Sequence, residues 1–284
     1  MSHCRDHAIP LRSGHQWGED MAIALTIAGS DSGGGAGIQA DLKTFSALGV
    51  YGASVVTAIT AQNTRAVTRV ESVSPDMIRA QIDTVFDDLD IRAVKIGMLG
   101  TAAATRAVAG ALAGRDVPLV LDPVMIAKSG DRLIEDEAIA ALRELLIPRA
   151  TVLTPNLPEA ARLLGRMAAS DPTEAEAQGR ALVAMGSAWV LMKGGHAPGE
   201  TCTDLLVGPD TRLFTAPRIP TKNSHGTGCS LSSAIAAGLA QGLPAPDAVA
   251  RAHVWLQGAI AAADGLGVGS GHGPVHHFHE WWTA

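Results

Sequence analysis

Short apolar runs alternate with longer, partly apolar stretches along the chain from Met21 onward. Near-continuous apolar runs predict strands that are covered on both faces of a sheet, here over residues 22–28, 53–61, 93–96, 117–121, 151–154 and 188–192. Helices are predicted over residues 36–48, 75–89, 101–113, 136–146, 157–164, 173–185, 227–241 and 246–263. Two further runs, 203–207 and 212–216, flank Gly208-Pro209-Asp210 and predict a hairpin. This alternation predicts an α/β fold with a mainly parallel sheet.

Residues 1–20 do not share this pattern. They are polar, contain three histidines, and show neither the period of a strand nor that of a helix. Because chain termini are usually mobile unless they are tied down, we expect a loosely ordered extension there. No linker or internal repeat interrupts the chain after Met21, so residues 21–284 are predicted to form one domain.

Composition narrows the class of protein. With 284 residues, 47 % hydrophobic and 18 % charged, the chain has enough apolar surface for a large core, which excludes global disorder. A net charge of −6 argues against a broad nucleic-acid-binding surface. No apolar run approaches the length of a membrane span, so no membrane partner is expected. The three cysteines, Cys4, Cys202 and Cys229, make no disulfide framework, which fits the reducing cytoplasm.

Polar residues and glycines follow six predicted strands at their carboxyl ends. The segments are Gly29-Ser30-Asp31, Gln62-Asn63, Gly97-Met98, Asp122-Pro123-Val124, Thr154-Pro155-Asn156 and Lys193-Gly194-Gly195-His196. In open parallel sheets, ligands bind beyond the carboxyl ends of the strands. The six segments together therefore predict a binding site at that edge.

The strongest local signal is Gly226-Thr227-Gly228-Cys229, at the start of a predicted helix. Exposed backbone N–H groups and the helix dipole make such a start an anion site, and we expect the dipole to lower the pKa of Cys229. A glycine-rich turn before a buried helix, with Cys229 as a small apolar filler, is the alternative interpretation. Residues 33–37 are also glycine-rich and are interpreted as a flexible flap, since neither G-x-G-x-x-G nor a P-loop is completed.

Two other groups of residues allow a metal interpretation. Asn156 and Glu159 lie three residues apart at a helix start, where they can share Mg²⁺ with substrate phosphates or form a capping box. The C-terminal histidines are His272, His276, His277 and His279. Their spacing matches no standard zinc site, and a packed, hydrogen-bonded tail is the favoured interpretation.

Several segments together resemble the hydroxymethylpyrimidine/phosphomethylpyrimidine kinases of the ribokinase-like superfamily. The segments are residues 25–31, 32–44, 95–98, 154–159, 192–196, 225–229 and the tail 273–279, in this order. The resemblance covers residues 21–284 and not residues 1–20. It implies a three-layer α/β/α fold. It also implies ATP-dependent phosphorylation of 4-amino-5-hydroxymethyl-2-methylpyrimidine, and then of its monophosphate to the diphosphate, for thiamine biosynthesis.

The resemblance also implies roles for individual residues. Cys229 matches the catalytic position, where most of the superfamily has Asp, and the anion hole matches Gly226, Thr227 and Gly228. Lys193 and Asp122 match positions near the phosphates, and Asn156 with Glu159 matches an N-x-x-E motif linked to Mg²⁺. Gln62 matches the contact to the pyrimidine, and the rest of that pocket matches Gly29, Asp41, Met98 and Val124.

Chemistry supports these roles, because phosphoryl transfer needs positioning and charge neutralisation. The helix start at Gly226 would hold the γ-phosphoryl, Lys193 with Mg²⁺ would offset its charge, and a Cys229 thiolate would take the proton of the hydroxymethyl group. Two alternatives stay open: a pyridoxal or pyridoxine kinase, and a catalytically silent pyrimidine-binding sensor. Gln62 distinguishes the pyrimidine kinase from a pyridoxal kinase, since pyridoxal lacks the aminopyrimidine edge. Relatives also imply a homodimer.

Overall fold

A computed structural model describes residues 21–126, 133–195 and 199–282. The strands are β1 (Ile23–Ala28), β2 (Tyr51–Val56), β3 (Ala58–Gln62), β4 (Val67–Ser72), β5 (Ile91–Ile96), β6 (Leu119–Leu121), β7 (Val152–Leu153), β8 (Trp189–Met192), β9 (Thr201–Val207) and β10 (Thr211–Pro217). The α-helices are α1 (Gly37–Ala47), α2 (Pro75–Asp88), α3 (Ala102–Ala111), α4 (Asp136–Ala141), α5 (Leu157–Leu164), α6 (Pro172–Val183), α7 (Thr227–Ala240) and α8 (Ala245–Ala261). The predicted extension over residues 1–20 lies outside the described residues.

Eight strands form one sheet in the order β10-β9-β8-β7-β6-β5-β1-β2. The six strands from β8 to β2 run parallel, and the hairpin of β9 and β10 continues the sheet in antiparallel fashion. The chain passes from β1 to β2 on one side of β1, and β5 lies on the other side. This reversal of strand order opens a crevice at the carboxyl ends of β1 and β5, which is where ligands bind in such sheets.

Helices cover both faces of the sheet and give the α/β/α arrangement that the resemblance implied. One apolar core lies between the sheet and α2, α3, α4, α5 and α6. The second core lies between the sheet and α1, α7 and α8. Residues Ser230–Ala240 of α7 are all buried, because this helix is packed between the sheet and its neighbours α1 and α8. A helix fixed in this way places its N-terminus rigidly at the strand ends.

The predicted single strand over residues 53–61 is wrong. The chain leaves the central sheet at Thr57, whose backbone N–H donates to Ala28 O and whose hydroxyl donates to Met98 O at 2.7 Å. Beyond Thr57, β3 pairs with β4 in a separate two-stranded sheet. Strand β4 was not predicted, because its largely exposed residues lack an apolar run. Gln62 therefore ends a hairpin strand beside the site and not a strand of the central sheet.

The predicted helix over residues 136–146 is a composite element. An α-helix covers Asp136–Ala141, and the chain continues as a π-helical turn over Leu142–Leu146 and a short 3₁₀ turn over Ile147–Arg149. Pro148 follows the π-helical turn and cannot donate a backbone hydrogen bond to continue an α-helix. Among the described residues, no helix is long and apolar enough to cross a membrane.

Candidate active site

The first turn of α7 presents free backbone donors at the carboxyl edge of the sheet. Gly226 begins the turn in the left-handed conformation, with φ of 78°, and a Cβ there would overlap the backbone oxygen of Gly35. No side chain caps this start, and Thr227, Gly228 and Cys229 remain partly exposed. The Thr227 N–H donates to Ser224 O at 3.4 Å. The N–H groups of Gly228 and Cys229 follow it, and because the first N–H groups of a helix have no intrahelical partner, this turn can receive an anion.

A lysine and a carboxylate line this turn. Lys193 Nζ lies 2.9 Å from Asp122 Oδ1 and 4.0 Å from Glu159 Oε2. A Cβ on Gly228 would stand 3.5 Å from Lys193 Nζ and 3.6 Å from Asp122 Oδ2, so both groups border the anion site. Burial opposes the charge of Lys193, but Asp122 and Glu159 outweigh that effect and raise its pKa. The site therefore holds a permanent cation beside the backbone donors.

Asn156 and Glu159 form the capping box of α5. The Asn156 side chain accepts from the Glu159 backbone N–H at 2.8 Å, and Glu159 Oε2 accepts from the Asn156 backbone N–H at 2.8 Å. The capping interpretation is therefore confirmed. Burial raises the pKa of Glu159 to about 7, Lys193 opposes the rise and Asp122 adds to it. A second carboxylate thus lies within reach of the Lys193 ammonium, at the rim of the anion site.

Cys229 lies in the first turn of α7, but its thiol is not acidified. Burial raises the pKa of Cys229 to about 11; Lys95 opposes the rise, and Asp41 and Asp122 add to it. The expectation that the helix dipole would lower this pKa is wrong, because loss of water around the sulfur and the nearby carboxylates outweigh the dipole. At neutral pH the thiol form predominates.

The glycine-rich segment after β1 is held in place and is not a free flap. The Asp31 carboxylate accepts backbone N–H groups from Gly33 at 2.8 Å, Gly35 at 3.1 Å and Ala36 at 2.8 Å. It also lies 2.8 Å from His225 Nε2. Burial alone would raise the pKa of Asp31, but these hydrogen bonds and His225 lower it. The carboxylate therefore fixes the loop to the residue that precedes the anion site.

His225 also contacts the residue expected to read the pyrimidine. The amide nitrogen of Gln62 lies 3.4 Å from His225 Nε2, so Gln62 and the anion site share one neighbour. Gln62 remains partly exposed. Asp31 and His225 were not predicted as site residues. Both stand in the segments that carry the family resemblance, and the signal that pointed to them was their place beside Gly226 and the glycine-rich loop.

Gly29, Met98 and Val124 lie at neighbouring strand ends, as expected. The Gly29 backbone N–H donates to Met98 O at 3.2 Å, and the Met98 methyl group would lie 2.9 Å from a Cβ on Gly29. Val124 follows Asp122 and donates its backbone N–H to the Asp122 carbonyl at 2.8 Å. Met98 and Val124 are half-buried, so both keep surface for a ligand.

Asp41 is placed differently from the expectation that it contacts the pyrimidine. It has no exposed surface, and its oxygens accept from Lys95 Nζ at 2.7 and 2.8 Å. Thr26 and Ser233 donate to the same carboxylate at 2.6 and 2.7 Å. Since every oxygen is occupied below the surface, Asp41 supports the site from beneath and is out of reach of a ligand.

The C-terminal histidines pack into the protein. His277 is buried and its Nε2 lies 3.0 Å from Ser230 Oγ, at the second turn of α7. Burial lowers the pKa of His277 to about 3, so the ring is neutral. Within residues 21–126, 133–195 and 199–282, no three or more His, Cys, Asp or Glu side chains are grouped so that they could hold a metal ion. The tail therefore buttresses α7 near the anion site.

Comparison with known proteins now defines the class and then the family. The fold matches the crystal structure of an ADP complex of Bacillus subtilis pyridoxal kinase, with a TM-score of 0.85, 35 % identity, and coverage of 93 % of this chain and 100 % of that one. The protein is therefore a kinase with the ribokinase-like fold. Residues 31–276 match the family model of phosphomethylpyrimidine kinase.

Two curated relatives point to the same family. A hydroxymethylpyrimidine/phosphomethylpyrimidine kinase from Rhizobium meliloti is 58 % identical over 262 residues, which cover 92 % of this chain and 98 % of the relative. A thiamine biosynthesis bifunctional protein from Geobacter sulfurreducens is 49 % identical over 255 residues, or 89 % of this chain and 51 % of that protein. The chain belongs to the phosphomethylpyrimidine kinase family.

Proposed function

We propose that this chain transfers the γ-phosphoryl group of ATP to the hydroxymethyl group of 4-amino-5-hydroxymethyl-2-methylpyrimidine, and then a second phosphoryl group to the resulting monophosphate. The product is the diphosphate used in thiamine biosynthesis. The observation that carries the proposal is the first turn of α7, where free backbone donors lie beside Lys193 and Asp122. Family membership supplies the substrate class.

The chain's own residues can perform the transfer. The N–H groups of Gly228 and Cys229 would hold the transferring phosphoryl group, and Lys193 would offset its growing negative charge. Cys229, in its thiolate form, would accept the proton of the hydroxymethyl group as the oxygen attacks phosphorus. Phosphoryl transfer depends mainly on such positioning and charge compensation.

Mg²⁺ fits beside this arrangement in hydrated form. Asn156 and Glu159 already use one oxygen each in the capping box, so they would hold the ion through its water shell, which Mg²⁺ loses reluctantly. Asp122 and Glu159 supply the negative charge. The ion would shield the phosphate charges during transfer.

Pyridoxal kinase is the main alternative, because the fold matches one closely. The side-chain amide of Gln62 carries donors and an acceptor that complement the aminopyrimidine edge, which pyridoxal lacks. A catalytically silent sensor would need neither Lys193 nor Asp122 at the anion site. An ADP-release assay with each alcohol in turn separates the three. We expect a much higher kcat/KM for the aminopyrimidine; a preference for pyridoxal, or no ADP with either, would contradict the proposal.

We also propose a homodimer that forms in the cytoplasm. Large apolar side chains are exposed on edge strand β2, on the β3–β4 hairpin and on α2: Tyr51, Ile59, Val70 and Met77 are between 45 and 57 % accessible. An exposed edge strand beside such a surface favours pairing with a second copy. Cys202 and Cys229 are free thiols, as a reducing compartment allows. Light scattering of the wild type and of Ile59→Asp tests the interface. We expect the wild type to be a dimer and Ile59→Asp to be a monomer. If both are dimers, the interface lies elsewhere.

A further inference from the structure

A fully buried ion pair lies beneath the anion site and has no part in the roles assigned so far. Lys95 and Asp41 are both 0 % exposed, and Lys95 Nζ reaches both carboxylate oxygens, at 2.7 and 2.8 Å. Removing two charges from water is costly, and a buried ion pair often stabilises a fold no better than an apolar pair. Its presence therefore calls for an explanation beyond stability.

The ion pair is linked to Cys229 through two helices, α7 and α1, by one helical turn in each. On α7, Cys229 and Ser233 are four residues apart and share a face, and the Ser233 hydroxyl donates to Asp41 at 2.7 Å. On α1, Gly37 and Asp41 are likewise four residues apart, and the Gly37 backbone N–H acts to lower the pKa of the Cys229 thiol. The two helices thus meet along a seam with the thiol at its open end and the ion pair at its buried end.

The Lys95 ammonium extends along this seam toward the site. Lys95 stands on β5, and its Nζ would lie 2.8 Å from a Cβ on Gly97, the first residue after the strand. Four charged groups act on the thiol from the elements around it: Lys95 from β5, Asp41 from α1, Asp122 after β6 and Lys193 after β8. Lys193 is already paired with Asp122 at the phosphate site. Lys95 is therefore the cation placed behind the thiol.

We propose that Lys95, held by Asp41, is a positioning residue for phosphorylation of the alcohol: it supplies the positive charge that stabilises the Cys229 thiolate. The inference rests on the proposed role of Cys229 as the base. In the step concerned, the Cys229 thiolate takes the hydroxymethyl proton, the oxygen bonds to the γ-phosphorus, and the bond from that phosphorus to the bridging oxygen of ADP breaks. Lys95 neither gains nor loses a proton and touches no substrate atom.

Asp41 explains why a buried lysine keeps its charge. Burial alone would lower the pKa of Lys95, but Asp41 and the other negative groups nearby outweigh that effect and raise it. Thr26 and Ser233 fix the carboxylate by donating to its two oxygens. Asp41 therefore acts through Lys95 and not on the pyrimidine, which fits its lack of exposed surface.

The test measures thiol reactivity, which does not depend on turnover. Lys95→Met removes the charge at similar length, and Lys95→Met with Asp41→Asn removes both charges and leaves no unpaired ion if the single variant fails to fold. The rate of iodoacetamide alkylation is followed from pH 7 to 10 (roughly the range in which a thiol gains thiolate character), with the Cys229 peptide quantified by mass spectrometry. Lys222→Met, which removes an exposed lysine, is the control.

We expect Lys95→Met to alkylate at Cys229 about tenfold more slowly at a given pH, the effect of a rise of about one unit in thiol pKa. The double variant should also be slower than the wild type but less so, because loss of Asp41 removes a charge that raises the thiol pKa and so offsets part of the loss of Lys95. Lys222→Met should match the wild type. Unchanged or faster alkylation in the double variant would overturn the proposal, since a merely structural role would loosen the seam and expose the sulfur. The kcat for the alcohol should fall with KM unchanged. If Cys229→Ala kept full activity while Lys95→Met still slowed alkylation, the base role would fail and the effect of Lys95 on the thiol would stand.

Discussion

Replacement of Cys229 by alanine should impair the two phosphorylations unequally. In the first reaction the nucleophile is an alcohol, which must lose a proton as it attacks. In the second it is a phosphate oxygen, which is already ionised, because the second pKa of a phosphate monoester is about 6. A base in the first turn of α7 therefore serves the first reaction, and the second provides an internal control with the same pocket, nucleotide and anion site.

The structure sets the size and the pH dependence of the effect. With a pKa of about 11, the Cys229 thiolate is a minor species near neutral pH. Its population, and with it the rate of the first reaction, should rise about tenfold for each pH unit below that value. Loss of a general base typically lowers kcat by roughly 10²–10⁴. We expect a loss in this range for the alcohol, and a loss of less than about tenfold for the monophosphate.

The assay is single-turnover formation of each product between pH 7 and pH 9.5 (about the range where thiolate grows without reaching its plateau) in the wild type and in Cys229→Ala. The wild type should show a rising profile with the alcohol and a flat one with the monophosphate. The variant should be flat with both and should keep its nucleotide affinity. Equal losses with the two substrates, or near-normal turnover of the alcohol, would refute the reasoning and leave the anion hole as the main catalyst.

Three further predictions concern the metal, the pyrimidine and the tail. Glu159→Gln should raise the Mg²⁺ concentration needed for half-maximal rate, because it removes a carboxylate from the ion's surroundings. Glu137→Gln, which changes an exposed carboxylate, is the control. An unchanged Mg²⁺ requirement in Glu159→Gln would limit Glu159 to capping α5. Gln62→Met should weaken kcat/KM for the aminopyrimidine by roughly 1–3 kcal/mol and for pyridoxal much less, since buried polar groups are left unpaired only in the first case; equal losses would mean that Gln62 shapes the pocket without reading the amine. In the folded chain the pKa of His277 is lowered to about 3, against an ordinary value of about 6.5. Between these two values the unfolded chain binds a proton that the folded chain does not. The free energy of unfolding therefore falls with falling pH by about 1.4 kcal/mol per pH unit. In urea unfolding, His277→Gln should lose stability less steeply than the wild type as the pH falls below about 6.5. An equally steep pH dependence in the two proteins would contradict the lowered pKa of His277.

The sequence predicts the frame of the molecule well because the frame depends on local patterns. Strands covered on both faces are apolar throughout, so β1, β5 and β8 stand out, and α5 covers the predicted residues 157–164. The break at Thr57 is different. It follows from hydrogen bonds to Ala28 and Met98, which are distant in the chain, and the apolar run itself continues through it.

The candidate site shows the same contrast between what local patterns predict and what long-range contacts decide. The start of α7 is readable, because glycines beside a helical pattern indicate free backbone donors. The pKa of Cys229 depends on burial and on carboxylates from two other elements, so no local pattern contains it. The link between Asp31 and His225 joins residues 194 positions apart, and it turns a predicted flap into a fixed loop. Long-range contacts thus decide the chemistry of residues that short-range patterns locate.

The most direct test of the proposed function is a time course of products from one reaction. The purified chain is mixed with the aminopyrimidine alcohol, excess ATP and Mg²⁺, and the pyrimidine species are followed by mass spectrometry together with ADP. The monophosphate should appear first and then be converted to the diphosphate, with two ADP formed for each alcohol consumed. Accumulation of the monophosphate without further conversion, or phosphorylation of pyridoxal in preference to the alcohol under the same conditions, would contradict the account.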